Sequence, residues 1–126
     1  MSRRDLTAIA RNEASRPLRL LLEQQVISPG STVLDFGSGR GADVSHLQSL
    51  GVKSKGWDPF FSPTTRKTKT QIVTLTYVLN VIENTTERAE TLRTAWDLCT
   101  SLLAVSTRLE DERDEAHIRP VGDGWM

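Results

Sequence analysis

Cysteine is nearly absent from the chain. Cys99 stands alone among 126 residues, which excludes an internal disulfide and any metal site built from clustered cysteines. Long apolar runs are missing too. None approaches the roughly 20 residues that a membrane-spanning helix requires, so no membrane partner is expected. Met1-Ser2-Arg3-Arg4-Asp5 is not followed by the apolar stretch of a secretion signal, and the expected location is cytoplasmic. Net charge is absent as well: 16 Lys+Arg balance 16 Asp+Glu. Charge therefore lends no support to a nucleic-acid partner held by bulk attraction. The two histidines, His46 and His117, have no second ligand at metal-site spacing, so no metal is expected. What remains is ordinary for one globular domain: 25% charged and 37% hydrophobic residues.

Residues 1–30 predict a helical segment. Leu6, Ile9, Ala10 and Ala14 recur at helical spacing, and Leu18, Leu21, Leu22 and Val26 continue the pattern. Pro17 suits the first turn of a second helix, with Ser15 as its cap, so two helices or one kinked at Pro17 are expected, and Pro29-Gly30 ends the segment. A core is expected over 31–109. Thr32 to Phe36 is a short apolar strand, Gly37 to Gly41 a turn, and Ala42 to Leu50 a helix that Gly51 terminates. Val52 to Trp57 predicts a second strand and 59–70 a loop. Gln71 to Thr76 predicts a third strand that runs on, apolar, to Ile82. Asn84 with Glu87 resembles a capping box for the next helix, whose apolar stripe is Ala89, Leu92, Trp96, Cys99 and Leu103. Leu102 to Thr107 predicts a fourth strand. Residues 110–126 look like an acidic tail or a truncated continuation. The order β-α-β-loop-β-α-β implies a parallel α/β sheet with right-handed crossovers.

Charge is unevenly spread. Residues 53–69 carry five cations against Asp58, while 83–115 carry nine acids against four arginines. The plain interpretation is solvated surface. A basic lip for a polyanionic substrate is the alternative.

The stretch that carries chemistry is Val33-Leu34-Asp35-Phe36-Gly37-Ser38-Gly39-Arg40-Gly41. Glycines between a strand and a helix let the chain turn sharply and let a ligand meet bare backbone. The dinucleotide fingerprint is G-x-G-x-x-G, and here the third glycine comes one residue early. Asp35 also sits two residues before the first glycine. A carboxylate about 4 Å from a pyrophosphate charge would be repelled by about 4 kcal/mol at an effective dielectric near 20. S-adenosylmethionine has no phosphate and carries two cationic centres, so the same acid would attract it. Asp58 follows Gly41 by 17 residues (58 − 41), at the end of the second strand, where an acid holds a ribose diol. The other interpretation of Asp58 is a turn before Pro59. Phe60 and Phe61 could flank an adenine or simply fill the core. Thr76-Tyr77 and then Asn80 come at the end of the third strand, where an open parallel sheet places its ligands, so Tyr77 and Asn80 are pocket candidates. The alternative is that Tyr77-Val78-Leu79 packs against the sheet. Arg40 lies at the pocket mouth or points to solvent. Cys99 is expected in the core.

At these residues the chain resembles the class I S-adenosylmethionine-dependent methyltransferases. Asp35 to Gly41 looks like their first motif, Asp58 like their ribose acid, and Thr76-Tyr77-Val78-Leu79-Asn80 like their strand-four motif. Several blocks are similar to the N-terminal region of methyltransferases associated with DNA phosphorothioation. These are Ala10-Arg11, Ser15-Arg16-Pro17-Leu18-Arg19, Gly56-Trp57-Asp58-Pro59, Tyr77 to Glu83, and Glu87-Arg88-Ala89-Glu90. The resemblance runs over about residues 8–109. It implies a Rossmann-like fold that binds S-adenosylmethionine through Asp35, Gly37, Ser38, Gly39, Gly41, Asp58, Phe60, Thr76 and Tyr77.

The chain departs from that family in three ways. Only 13 residues (59–71) separate Asp58 from Ile72, too few for the helix and strand usually found there. The Asn/Asp-Pro-Pro-Tyr/Phe motif of enzymes that methylate base amino groups is missing. The sequence also ends after the fifth-strand equivalent, which implies a truncated or minimal domain. Its strand at 102–107 would then be an open edge that invites self-association or a partner chain. The leading expectation is a methyltransferase domain whose acceptor the sequence does not name. A non-catalytic cofactor- or partner-binding module is the second. A nicotinamide oxidoreductase is disfavoured by the glycine spacing and Asp35.

Overall fold

The computed structural model describes residues 14–108 and the backbone of 114–120. The expected helical pattern before Ala14 lies outside the described residues. Helix α1 spans Arg16–Glu23, with Ser15 as N-cap accepting from the Leu18 amide and Pro17 in the first turn, as the sequence predicts. It ends well before Pro29, because Gln25 turns left-handed (φ 58°) and the Val26 amide closes back on Leu21 O at 2.9 Å. Strand β1 (Thr32–Phe36) leads through the glycine turn into α2 (Ala42–Ser49) and then β2 (Lys53–Trp57). Strand β3 (Thr70–Thr76) is followed by a 3-10 turn (Leu79–Val81), α3 (Thr85–Leu98), β4 (Cys99–Arg108) and β5 (Asp114–Pro120).

The sheet order is β2-β1-β3-β4-β5, with the first four strands parallel. The chain leaves β1 outward to β2, then returns to β3 on the other side. Right-handed crossovers then force α2 and α3 onto opposite faces. Alternation along the strands divides the core accordingly. Val33, Ile72 and Ala104 pack beneath α1 and α2 with Leu18, Leu21 and Leu47. Leu34, Phe36, Val73, Leu75 and Leu103 pack beneath α3 with Ala95 and Cys99. Each fully buried leucine among these contributes about 1.5–3 kcal/mol relative to exposure. This is the Rossmann-like α/β sheet that the sequence implies.

Four expectations are corrected. The third strand does not run on to Ile82, because Tyr77 adopts left-handed backbone (φ 58°) and breaks it. The apolar stripe of α3 is not the one expected. The helix ends at Leu98, so Cys99 and Leu103 belong to β4, while Ala89 and Trp96 are exposed and Ala95 is buried instead. The edge at 102–107 is not open: β5 pairs with it antiparallel from Leu102↔Pro120 to Arg108↔Asp114. Nor is 110–126 simply a tail, since Asp114–Pro120 forms that strand. An exposed strand edge carries unpaired N–H and C=O groups, and the returning chain satisfies those of β4. Asn84 does cap α3, its Oδ1 accepting the Glu87 amide at 2.9 Å.

A buried polar latch joins α1 to α2. The Asp43 carboxylate accepts from the Ser15 amide at 2.7 Å and from the Ser15 hydroxyl at 2.6 Å, all out of solvent. The carboxylate lies in the first turn of α2, where the helix dipole favours it. Cys99 is buried as expected; burial pushes its thiol above the ordinary cysteine range, and it donates to Trp96 O at 3.1 Å.

Candidate functional site

The strand order reverses between β1 and β3, and ligands of open α/β sheets bind outside the C-terminal ends of strands at such a point. Here the glycine turn and the turn after Thr76 meet. Gly37, Gly39 and Gly41 all take positive φ (101°, 56° and 85°), which explains the residue type at each. Gly37 has a second reason. A Cβ there would overlap the Cγ2 of Val78, which the left-handed Tyr77 swings over the turn. Glycine is thus the residue that lets the two turns close on each other.

The amides of this turn are already engaged. Gly37 N and Ser38 N both donate to Trp57 O, at 2.7 and 3.0 Å, and Gly41 N donates to Ser38 O at 3.0 Å. Gly39 N donates to Asp58 Oδ2 at 2.8 Å. A phosphate cradle needs inward N–H groups left open for the anion. These four groups are turned to the protein instead, so the turn presents Cα surface rather than an anion hole.

Asp35 is buried on the α1–α2 face, in register with Thr74 of β3 and Gly56 of β2. The Thr74 hydroxyl donates to its Oδ1 at 3.0 Å. Asp58 is also buried. Its Oδ1 accepts from Phe60 N (2.8 Å) and Phe61 N (3.1 Å), while Oδ2 takes Gly39 N. The turn-forming role of Asp58 is therefore present, and the carboxylate also clasps the glycine turn to the end of β2. A carboxylate oxygen accepts about two hydrogen bonds, which leaves Oδ2 one lone pair for a hydroxyl. An Asp58→Asn variant keeps one oxygen for the Phe60 and Phe61 amides but turns an NH2 toward Gly39 N. It is expected to accelerate amide hydrogen exchange at Gly39 while leaving the core strands protected.

The aromatic residues lie around this centre. Phe60 and Phe61 are exposed, and the Arg40 guanidinium sits 5.0 Å from the Phe61 ring centroid. Thr76 and Tyr77 are half-buried. Tyr77 N donates to Ser106 O at 2.9 Å, and the Arg108 guanidinium lies 4.6 Å from the Tyr77 ring centroid. Asn80 is exposed on the 3-10 turn.

Beside the glycine turn, on the α3 face, is an open hollow of about 260 Å³ lined by Phe36, Gly37, Trp57, Val78 and, from α3, Glu90. Of the residues that the sequence assigns to the cofactor, Gly37 alone lines it. Neither Asp35 nor Asp58 lines it; Asp58 holds the Gly39 amide and Asp35 the Thr74 hydroxyl. Trp57 stacks on Phe36 with centroids 4.9 Å apart, and the Lys67 ammonium rests 4.4 Å from the Trp57 centroid. Sequence reasoning placed Gly56, Trp57 and Val78 within family-like blocks but gave none of them a role in the site. A Cβ on Gly56 would overlap Ser38 of the turn; an interior strand glycine was the available signal. Trp57 acts through its carbonyl and Val78 through its methyl group, and neither contact is legible in the sequence pattern.

Among the described residues no group of three or more His, Cys, Asp or Glu is placed to hold a metal ion, and no helix is long and apolar enough to cross a membrane.

No protein-family model matches the sequence, and no curated protein does. Solved structures do match in shape. One is the magnesium protoporphyrin IX methyltransferase ChlM from Synechocystis PCC 6803 with bound SAM. It has a TM-score of 0.58 at 16% identity, over 79% of this chain and 59% of that one. Another is SAM-bound CalS10, an amino pentose methyltransferase from Micromonospora echinaspora involved in calicheamicin biosynthesis. It has a TM-score of 0.50 at 14% identity, over 84% of this chain and 58% of that one. The chain thus spans less than two thirds of the length of either, and over that span it has the Rossmann-like fold of methyltransferases solved with SAM.

Proposed function

We propose that the domain binds S-adenosylmethionine at the C-terminal ends of β1 and β2 and forms the cofactor-binding part of a methyltransferase. One observation carries this reading. The glycine turn commits four amides internally, one of them to the buried carboxylate of Asp58, and it follows directly on β1, which carries the buried Asp35. Such a turn suits a ligand with cationic centres and a ribose better than a diphosphate. The fold shared with two SAM-bound methyltransferases agrees with it.

Gly37, Ser38, Gly39 and Gly41 would form the wall against the ligand. The open lone pair of Asp58 Oδ2 would accept a ribose hydroxyl, and Asp35 would supply negative charge beneath the turn. Phe60 offers an exposed ring for the adenine, and Thr76 with Tyr77 closes the side across the reversal point. When bound, the cofactor supplies an electrophilic methyl group. The protein's part is to hold acceptor and methyl in line, where positioning alone can lower a barrier by about 7–11 kcal/mol. The blocks similar to methyltransferases of DNA phosphorothioation point to DNA modification as the setting, in the cytoplasm.

Calorimetric titration with S-adenosylhomocysteine and with NADH tests the proposal. The expected result is saturable binding of the first, none of the second, and loss of binding in Gly39→Val. Binding of NADH, or no binding of S-adenosylhomocysteine to the folded chain, would overturn it. Transfer of a labelled methyl group to DNA then separates an enzyme from a non-catalytic module.

A further inference from the structure

A second open hollow, of about 310 Å³, lies at the other end of the strands. It is lined by Thr32 at the start of β1, Lys53 and Lys55 of β2, and Thr68, Lys69 and Thr70 where the chain enters β3. We infer that this hollow is a binding site for a dianionic phosphate group, as carried by a phosphate monoester. The length of β1, about 13 Å, separates it from the glycine turn. The two sites are therefore distinct, and this one stands whatever ligand the turn takes.

Three observations converge. First, Lys53 and Lys55 are two residues apart on an outer strand, in register with Thr32 and Leu34, so both project from the same face. Second, the segment leading into β3 passes in front of that face and delivers a third lysine, Lys69. Third, no carboxylate of the described residues lines the hollow. Lys55 Nζ donates to Thr68 Oγ1 at 2.6 Å, and Lys69 Nζ donates to Asp97 O at 2.8 Å near the C-terminal end of α3. Each contact holds one ammonium while leaving donors on it, because an ammonium carries three. Lys53 has no hydrogen-bond or ion-pair partner among the described residues.

Protection of an exposed strand edge accounts for lysines on β2. It does not account for Lys69, which arrives from another segment and is held in place. In a chain of zero net charge, three lysines lining one hollow, with no acid beside them among the described residues, are a local surplus that calls for an anion. Charge and shape then select its class. A carboxylate brings one charge and two oxygens. A phosphate monoester brings about −1.5 to −2 and three terminal oxygens, enough to meet three ammonium groups at once. A phosphodiester brings a single charge. Lysine meets phosphate as a point charge, whereas a carboxylate is better gripped by the arginine fork, which this hollow lacks.

The test is calorimetric titration of the full chain with phenyl phosphate and with a thymidine oligonucleotide lacking terminal phosphates, before and after Lys53→Gln and Lys53→Gln/Lys69→Gln. Phenyl phosphate is expected to bind, to weaken in the single variant, and to weaken at least about tenfold in the double variant. Melting temperature serves as the fold control. Lys53→Gln breaks no contact in the described structure, so it answers the question even if loss of the Lys69 contact to α3 unsettles the double variant. No binding of phenyl phosphate at millimolar concentration, or equal binding by parent and Lys53→Gln, would overturn the assignment. So would an oligonucleotide that binds more tightly than phenyl phosphate with the same dependence on Lys53.

Discussion

A Gly37→Ala variant is expected to lose about 3 kcal/mol of stability and with it the binding geometry of the turn. Two costs combine. Left-handed backbone at φ 101° strains any residue with a Cβ by about 1–2 kcal/mol. The new methyl group would also occupy the position of Val78 Cγ2. Val78 has little room to retreat, since it is buried in the cluster that holds Phe36, Leu75 and Ile82. Overpacking of that kind typically costs about 1–3 kcal/mol. For a chain of this size the melting temperature should fall by roughly 10 °C. The steric and conformational parts can be separated. In a Gly37→Ala/Val78→Ala double variant the overlap is relieved while the backbone strain remains. The two substitutions should therefore couple favourably, by about 1–2 kcal/mol in a double-mutant cycle. A Gly37→Ala protein that melts with the parent would show that the two turns do not meet as described.

Asp43→Ala should be of similar size for a different reason. Removing the carboxylate leaves the Ser15 amide and hydroxyl buried without their acceptor. Hydrogen bonds to a charged group contribute about 1.5–3 kcal/mol, and an orphaned buried donor adds its own desolvation cost. A loss of about 3 kcal/mol in denaturant unfolding is expected. Ser15→Ala alone should cost less, because it keeps the amide bond to Asp43 and removes only the hydroxyl and the cap on Leu18 N. Since α1 is fastened to α2 through this pair, hydrogen exchange in α1 should quicken in Asp43→Ala before that of β1 and β3. A loss below about 0.5 kcal/mol would mean that this pair does not fasten α1 to α2.

Sequence by itself determined the elements with strong local signals. Short apolar and β-branched runs in Thr32–Phe36 and Thr70–Thr76, the Ser15 and Asn84 caps, and glycines at 37, 39 and 41 each answer a local demand of backbone or burial. The parallel sheet and the place of the glycine turn follow from their order. Tertiary structure decided the rest, because those outcomes depend on groups far apart in sequence. Strand β5 has only Ala116, Ile118 and Pro120 as apolar residues and forms by completing the hydrogen bonds of β4. The partners of Asp58 include Gly39, 19 positions away, so its clasp on the turn could not be separated from a ribose role by spacing alone. The latch between Ser15 and Asp43 spans 28 positions. The lysine hollow needs Lys69 to arrive beside Lys53 and Lys55, and a run of charges reveals its sign but not its convergence. Local periodicity is a property of neighbours along the chain, whereas burial, register and hydrogen-bond partnership belong to neighbours in space.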